Sequence, residues 1–176
     1  MKEYVIYMVL LAFLLFNIYV LAVGRKRRAM SASDVQRQKT ELAQTALEEQ
    51  KKYGIRFTAH STYMNDKGKV LLAAIDPEKR VLGLFFGNDV RIIPFKDLCG
   101  ARVVSDEDDK SVYAISVEIT RKSGGVISYP FSTAKRRKRG WISKFIKKDS
   151  GDFAMEINSL VISYVTGANN AILRSM

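Results

Sequence analysis

The chain has 176 residues, with 29 Lys and Arg against 18 Asp and Glu for a net charge of +11; its length suits one ordinary domain with attachments rather than two domains. A hydrophobic content of 47% with 27% charged residues excludes a chain disordered throughout. One Cys and one His exclude a disulfide framework, and a zinc site made of its own thiols and imidazoles, within a single copy.

Residues 4–23, YVIYMVLLAFLLFNIYVLAV, carry no charge, and a helix of that length rises about 30 Å, the thickness of bilayer hydrocarbon. The pattern predicts one transmembrane helix, with Tyr4, Tyr7 and Tyr19 placed for interfacial belts. Asn17, its one strongly polar residue, is either tolerated near the membrane's edge or hydrogen-bonded to a partner helix. A cleaved signal peptide is the rival reading, because Ala22-Val23-Gly24 spells small-x-small. Against cleavage stand the long apolar core, the short start Met1-Lys2-Glu3, and the cluster Arg25-Lys26-Arg27-Arg28 that follows directly. Those four cations predict an amino terminus outside and the remainder in the cytoplasm, with anionic headgroups within their reach. The single Cys99 agrees with a reducing compartment.

Residues 25–53 form a basic juxtamembrane segment and a connector. From Ser33 to Lys52 the chain is rich in helix formers, opens with the capping-box spelling Ser33-x-x-Gln36, and stops before Gly54. Its apolar stripe is thin: Val35, Leu42, Ala43, Ala46 and Leu47. That predicts a connector helix, packed on the domain or pairing weakly, rather than a coiled coil.

Beyond Gly54 the period changes from 3.6 to 2. Ile55, Phe57 and Ala59 alternate with Arg56, Thr58 and His60, then Asn65-Asp66-Lys67-Gly68 marks a turn before a strand from Lys69 to Ile75. Asp76 to Lys79 is the next turn, Arg80 to Phe86 a strand, Gly87-Asn88-Asp89 a turn, and Val90 to Ile93 a strand. After the corner Pro94 to Leu98 come strands Gly100 to Ser105, Ser111 to Arg121 and Gly125 to Phe131, the last two joined across Lys122-Ser123-Gly124. The count is seven. A carboxyl-terminal helix capped by Ser150 or Asp152 then carries Phe153, Ile157, Leu160, Val161, Tyr164, Val165, Ala168 and Ile172 at spacings of three and four, a stripe that would cover the sheet.

Seven short antiparallel strands closed by such a helix resemble the pleckstrin-homology superfold, particularly its bacterial PH-like and GRAM-like modules. The resemblance is carried by KVLLAAID, RVLGLFF, RIIPFKDL and ARVVS, with Ile93-Pro94-Phe95-Lys96-Asp97-Leu98 similar to the family's IP-aromatic-x-D-I/L corner. It covers residues 54–176 and implies a seven-stranded antiparallel barrel or sandwich closed by a carboxyl-terminal helix; with the transmembrane and connector helices read ahead of it, the chain is expected to be α+β. A bacterial module of this kind behind such an anchor suggests an inner membrane, and with no catalytic constellation in the sequence the expectation is a non-catalytic binding or adaptor module. Lys67 and Lys69 occupy the turn where lipid-binding members carry a Lys-x(n)-Arg/Lys signature, which is not spelled out here. Because the superfold serves lipid binding, peptide binding and scaffolding, it does not choose the ligand.

The sharpest chemical feature is KRRKRGWISKFIKK, residues 135–148, with eight basic residues and no acid. Lys135, Arg136, Arg137, Lys138, Arg139, Lys144, Lys147 and Lys148 would attract an anionic surface, and Trp141, Ile142, Phe145 and Ile146 are spaced to share one helical face. Three readings stand: the aromatics pack into the barrel mouth above a solvated basic loop, the segment contacts anionic phospholipid headgroups, or it binds an acidic protein or nucleic acid. Nucleic acid is disfavoured because only Trp141 and Phe145 offer stacking rings within the segment. A second class of function is an adaptor that takes a protein partner by strand addition or in a groove. An upright connector would hold the domain about 30 Å from the bilayer, well beyond a screening length of about 8 Å, so lipid contact requires the connector to tilt or fold back.

Asp106-Glu107-Asp108-Asp109 reads as an acidic hairpin tip, solvated or paired with the basic segment, and it lacks a calcium loop's spacing. Cys99 lies in an apolar corner and His60 on a strand's polar face, which argues against a nucleophile–base pair. No phosphate-binding glycine motif occurs, and no cofactor is expected.

Overall fold

A computed structural model describes residues 32–174. The expected membrane span 4–23 and the cluster Arg25, Lys26, Arg27 and Arg28 lie outside the described residues; among those described, no helix is long and apolar enough to cross a membrane. The chain divides after Arg37 into two compact units, and the second, from Gln38, holds the whole of the strand architecture described here.

The architecture is α+β. Helix α1 (residues 32–53) precedes β1 (Ala59–Met64), β2 (Val70–Asp76), β3 (Val81–Phe86), β4 (Asp89–Pro94), β5 (Leu98–Glu107), β6 (Ser111–Arg121), β7 (Val126–Ser132), β8 (Arg136–Arg137) and α2 (Trp141–Arg174). Strands β1-β2-β3-β4 form one antiparallel sheet and β5-β6-β7 a second, with β8 also paired to β6. The strand count is therefore eight, not seven; the extra strand is two residues of the basic segment, Arg136 and Arg137, paired with Val112 and Ser111.

Alternation along the strands builds the core. Val112, Ile115, Val117 and Ile119 of β6 are buried, as are Ile127, Tyr129 and Phe131 of β7, and both rows meet Leu82 and Leu84 of β3 and Leu71 and Ala73 of β2. Each buried Val, Leu, Ile or Phe among them contributes roughly 1.5–3 kcal/mol before entropy is counted. Helix α2 closes this cluster with Ile146, Phe153, Ala154 and Ile157, and the Phe153 ring lies 5.0 Å from that of Tyr63 and 5.9 Å from that of Phe131.

The opposite side of β2 and β3 is buried too, at Val70, Leu72, Ala74 and Phe85, together with Leu42 and Ala46 of α1 and Ile55. The Gln38 amide fixes α1 there: Nε2 donates to the Gly68 carbonyl (3.1 Å) and Oε1 accepts from the Val70 N–H (3.2 Å). The connector helix thus packs on the strands from Gln38 onward.

Three local expectations change. The first strand runs over Ala59–Met64, not from Ile55: the Ile55 N–H donates to the Gln50 carbonyl after Gly54 turns the chain at φ +60°, so residues 55–58 lead from helix to sheet. Phe57 in that link lies edge-on to Phe85 at 5.9 Å, over Gly83. The last helix begins at Trp141 rather than beside Ser150 or Asp152. Ile142 and Ile146 extend its inward stripe by two turns, and the wholly buried Ser150 donates to the Lys147 carbonyl from inside the helix (3.0 Å). Cys99 is exposed, because Leu98 takes the inward position at the start of β5.

Candidate anionic-surface site

The basic segment is not one surface; the fold sorts its residues into two sets. Lys135 stands with Nζ 5.0 Å from the centroid of the Tyr113 ring. Arg136 turns toward Asp66, whose side chain is almost completely buried, at 3.3 Å; Asp66 also accepts from Ser132 Oγ (3.0 Å) and the Thr133 N–H (3.4 Å). This strut ties the β1–β2 turn to the end of β7, and replacing one partner would leave the other's charge poorly compensated.

Lys138 and Lys147 converge on Glu107 at the tip of the β5–β6 hairpin: Lys138 Nζ lies 3.3 Å from one carboxylate oxygen, and Lys147 donates to the other. The hydrogen bond from Lys147, with that from Lys138 behind it, outweighs desolvation and holds the Glu107 carboxyl below its ordinary range. Asp108 shapes the same tip by accepting from the Lys110 N–H (2.7 Å), the Ser111 N–H and Tyr113 Oη (2.7 Å). The acidic tip is therefore a clasp on the basic segment, one of the two roles its charge suggested.

Arg137, Arg139 and Lys144 are exposed and form no ion pair among the described residues, while Lys148 is paired one turn on with Asp152 at 2.9 Å. Arg137 and Arg136 alternate across β8, which sends the first outward and the second to Asp66.

The apolar residues divide as well, correcting the expectation of one shared face. Ile146 is 1% exposed and Ile142 packs against the core, whereas Trp141 is 77% exposed and Phe145 42%. A helix advances 100° per residue, so Trp141, Lys144, Phe145 and Lys148 fall within about 100° of one another on the side away from the core. The start of α2 is thus a ridge of two exposed aromatics among cations. Gly140 begins it, accepting from the Lys144 N–H (3.1 Å), and the buried Ser143 locks it by donating to the Arg137 carbonyl (2.8 Å).

Sequence reasoning identified the segment but missed contacts made at long range. Asn158 of α2 clamps the β5 backbone, accepting from the Ala101 N–H (2.8 Å) and donating to its carbonyl (2.9 Å). Glu156 accepts from Tyr63 Oη (2.6 Å) and Ser61 Oγ (2.9 Å), and burial together with this carboxylate raises the Tyr63 phenol far above its usual range. No group of three or more His, Cys, Asp and Glu side chains converges on a possible metal position among the described residues.

No protein-family model, curated protein or solved structure matches this chain.

Proposed function

We propose that the chain is a membrane-anchored, PH-like binding module without catalytic activity, held by residues 4–23 with its carboxyl-terminal domain in the cytoplasm, whose α2 ridge contacts the anionic leaflet beside it. The division of the strands into two antiparallel sheets and the closing carboxyl-terminal helix support the PH-like reading. The observation that carries the lipid reading is a tryptophan 77% exposed on the first turn of a helix, next to Arg137, Arg139 and Lys144, which have no ion pair among the described residues. An indole left in water on a soluble face loses nothing by entering a headgroup layer, and each nearby cation adds about 1 kcal/mol of attraction to an acidic surface. Strand addition at β5 is the weaker reading, because Asn158 already occupies the backbone groups of Ala101 on that edge.

The test is hydrogen–deuterium exchange on the full chain in nanodiscs, comparing zwitterionic with anionic lipid. Amides of residues 137–145 gain protection only over anionic lipid, and the gain disappears at high salt or when Arg137, Arg139 and Lys144 are changed to Glu. Equal exchange in both lipids removes the proposal.

A further inference from the structure

The outward side of α2 does not end at Phe145. Trp141, Lys148, Met155 and Ile162 stand seven residues apart, which puts them nearly in line, and Met155 and Ile162 are 67% and 65% exposed. A soluble helix ordinarily spends that side on charged and polar side chains. Here the polar groups between the apolar ones are already satisfied within the protein. Asp152 is paired with Lys148, and Glu156 is held by Tyr63 and Ser61. Ser159 donates to the Glu156 carbonyl (2.7 Å), and Ser163 donates to the Ser159 carbonyl (2.6 Å). Between Trp141 and Ile162 the Asp152 carboxylate is ion-paired and the Glu156 carboxylate, though still charged, is turned to the Tyr63 and Ser61 hydroxyls, while the two serine hydroxyls are turned back onto the backbone.

We infer that α2 docks along its length, lying in the plane of an anionic bilayer surface from Trp141 to Ile162, rather than dipping only its first turn. This rests on the ridge reading and extends it: the unpaired cations cluster at the Trp141 end, which orients the helix, and the line of Met155 and Ile162 continues the same face for about 32 Å. A bilayer is the partner this surface fits, since satisfied polar groups between spaced apolar side chains suit a shallow, laterally continuous interface. A helix seated in a protein groove carries anchors at three and four residues along its length; among the exposed side chains here that spacing occurs at the two ends, Trp141 with Phe145 and Ile162 with Val165, while Met155 between them stands alone. The lysine–aspartate pair at 148 and 152 is neutral as a unit and so brings no net repulsion toward acidic lipid.

The experiment uses the full chain with Cys99→Ser, carrying a nitroxide at Met155→Cys, Ile162→Cys or, as a control on strand β7, Val126→Cys, which is also exposed. Each is reconstituted in nanodiscs of phosphatidylcholine alone or with phosphatidylglycerol, and the label's accessibility to oxygen and to a water-soluble nickel chelate is measured. Planar docking predicts that labels at 155 and 162 shift from water toward the lipid interface only with phosphatidylglycerol, that the label at 126 does not shift, and that high salt reverses the change. Labels at 155 and 162 that stay in water while Trp141 becomes quenched by brominated lipid overturn planar docking and leave the ridge reading standing. If neither Trp141 nor the labels respond, both fail. Should the labels themselves disturb docking, Met155→Ser with Ile162→Ser in the otherwise native chain supplies an independent answer. Planar docking predicts a loss of about tenfold in the docked-to-free ratio, as for two side chains each partly withdrawn from water, and an unchanged ratio contradicts it.

Discussion

Paired substitutions at Ile146 and Trp141, five residues apart on one helix, separate what holds the fold from what faces outward. Ile146 is 1% exposed inside the main core cluster, and cutting it to Ala removes three carbons, worth about 0.8 kcal/mol each in transfer alone, with a cavity cost on top. The expected loss is about 3 kcal/mol. With a urea dependence of about 2 kcal/mol per M, the unfolding midpoint falls by about 1.5 M. Trp141 is 77% exposed, so Trp141→Ala stays within about 0.5 kcal/mol, moving the midpoint by no more than about 0.3 M while abolishing docking on anionic lipid. Far-UV circular dichroism of the full chain in detergent micelles, titrated with urea, reads both. Equal destabilisation by the two changes would refute the assignment of inner and outer faces; so would a silent Ile146→Ala, which would mean that α2 is not packed at its start.

Glu107→Gln loosens the clasp on Lys138 and Lys147, and the freed cations strengthen docking on anionic nanodiscs so that it persists to higher salt than in the native chain; unchanged salt dependence contradicts this. Burial would raise the Asp76 carboxyl, but backbone N–H donors from Arg56, Lys79 and Glu78 outweigh burial and hold it below its ordinary range. A carboxyl depressed in the folded state stabilises above its unfolded pKa, and that contribution is lost as pH falls through the folded value. Asp76→Ala should therefore cost about 1–3 kcal/mol at neutral pH and flatten the decline in urea midpoint on acidification, as followed by denaturation from pH 7 to pH 3. A methyl at Gly83 would meet Phe57 Cζ at 2.7 Å and Phe85 Cε2 at 2.8 Å, so Gly83→Ala costs about 1–3 kcal/mol in the same titration.

The strand meander was legible because period-two alternation and turn residues agree: Asn65 to Gly68, Asp76 to Lys79 and Gly87 to Asp89 all separate strands where expected. The first strand slipped because residues 55–60 alternate as well as 59–64 do, and only the pull of Ile55 back toward α1 decides between them. The start of α2 was hidden by its own charge. Ile142 and Ile146 lie in phase with Phe153 and Ile157, yet the surrounding Lys and Arg read as a separate basic run, so one stripe was divided in two. The sorting of that run into clasped and free cations depends on partners far away in sequence. Arg136 meets Asp66 across 70 positions and Lys147 meets Glu107 across 40, and no local period signals such pairs. The acidic tip could be read as a possible mate for the basic segment from charge alone, but which cations it takes could not.

The chain has one tryptophan, and it is the residue on which the lipid reading turns. Its fluorescence in the full, otherwise unaltered chain, reconstituted with phosphatidylglycerol and with lipids brominated at known depths, tests the reading most directly. The account predicts a blue-shifted emission quenched most strongly by shallow bromines, with both effects lost in pure phosphatidylcholine and reversed by salt. An emission maximum that stays at its aqueous position, unquenched in either lipid, contradicts it.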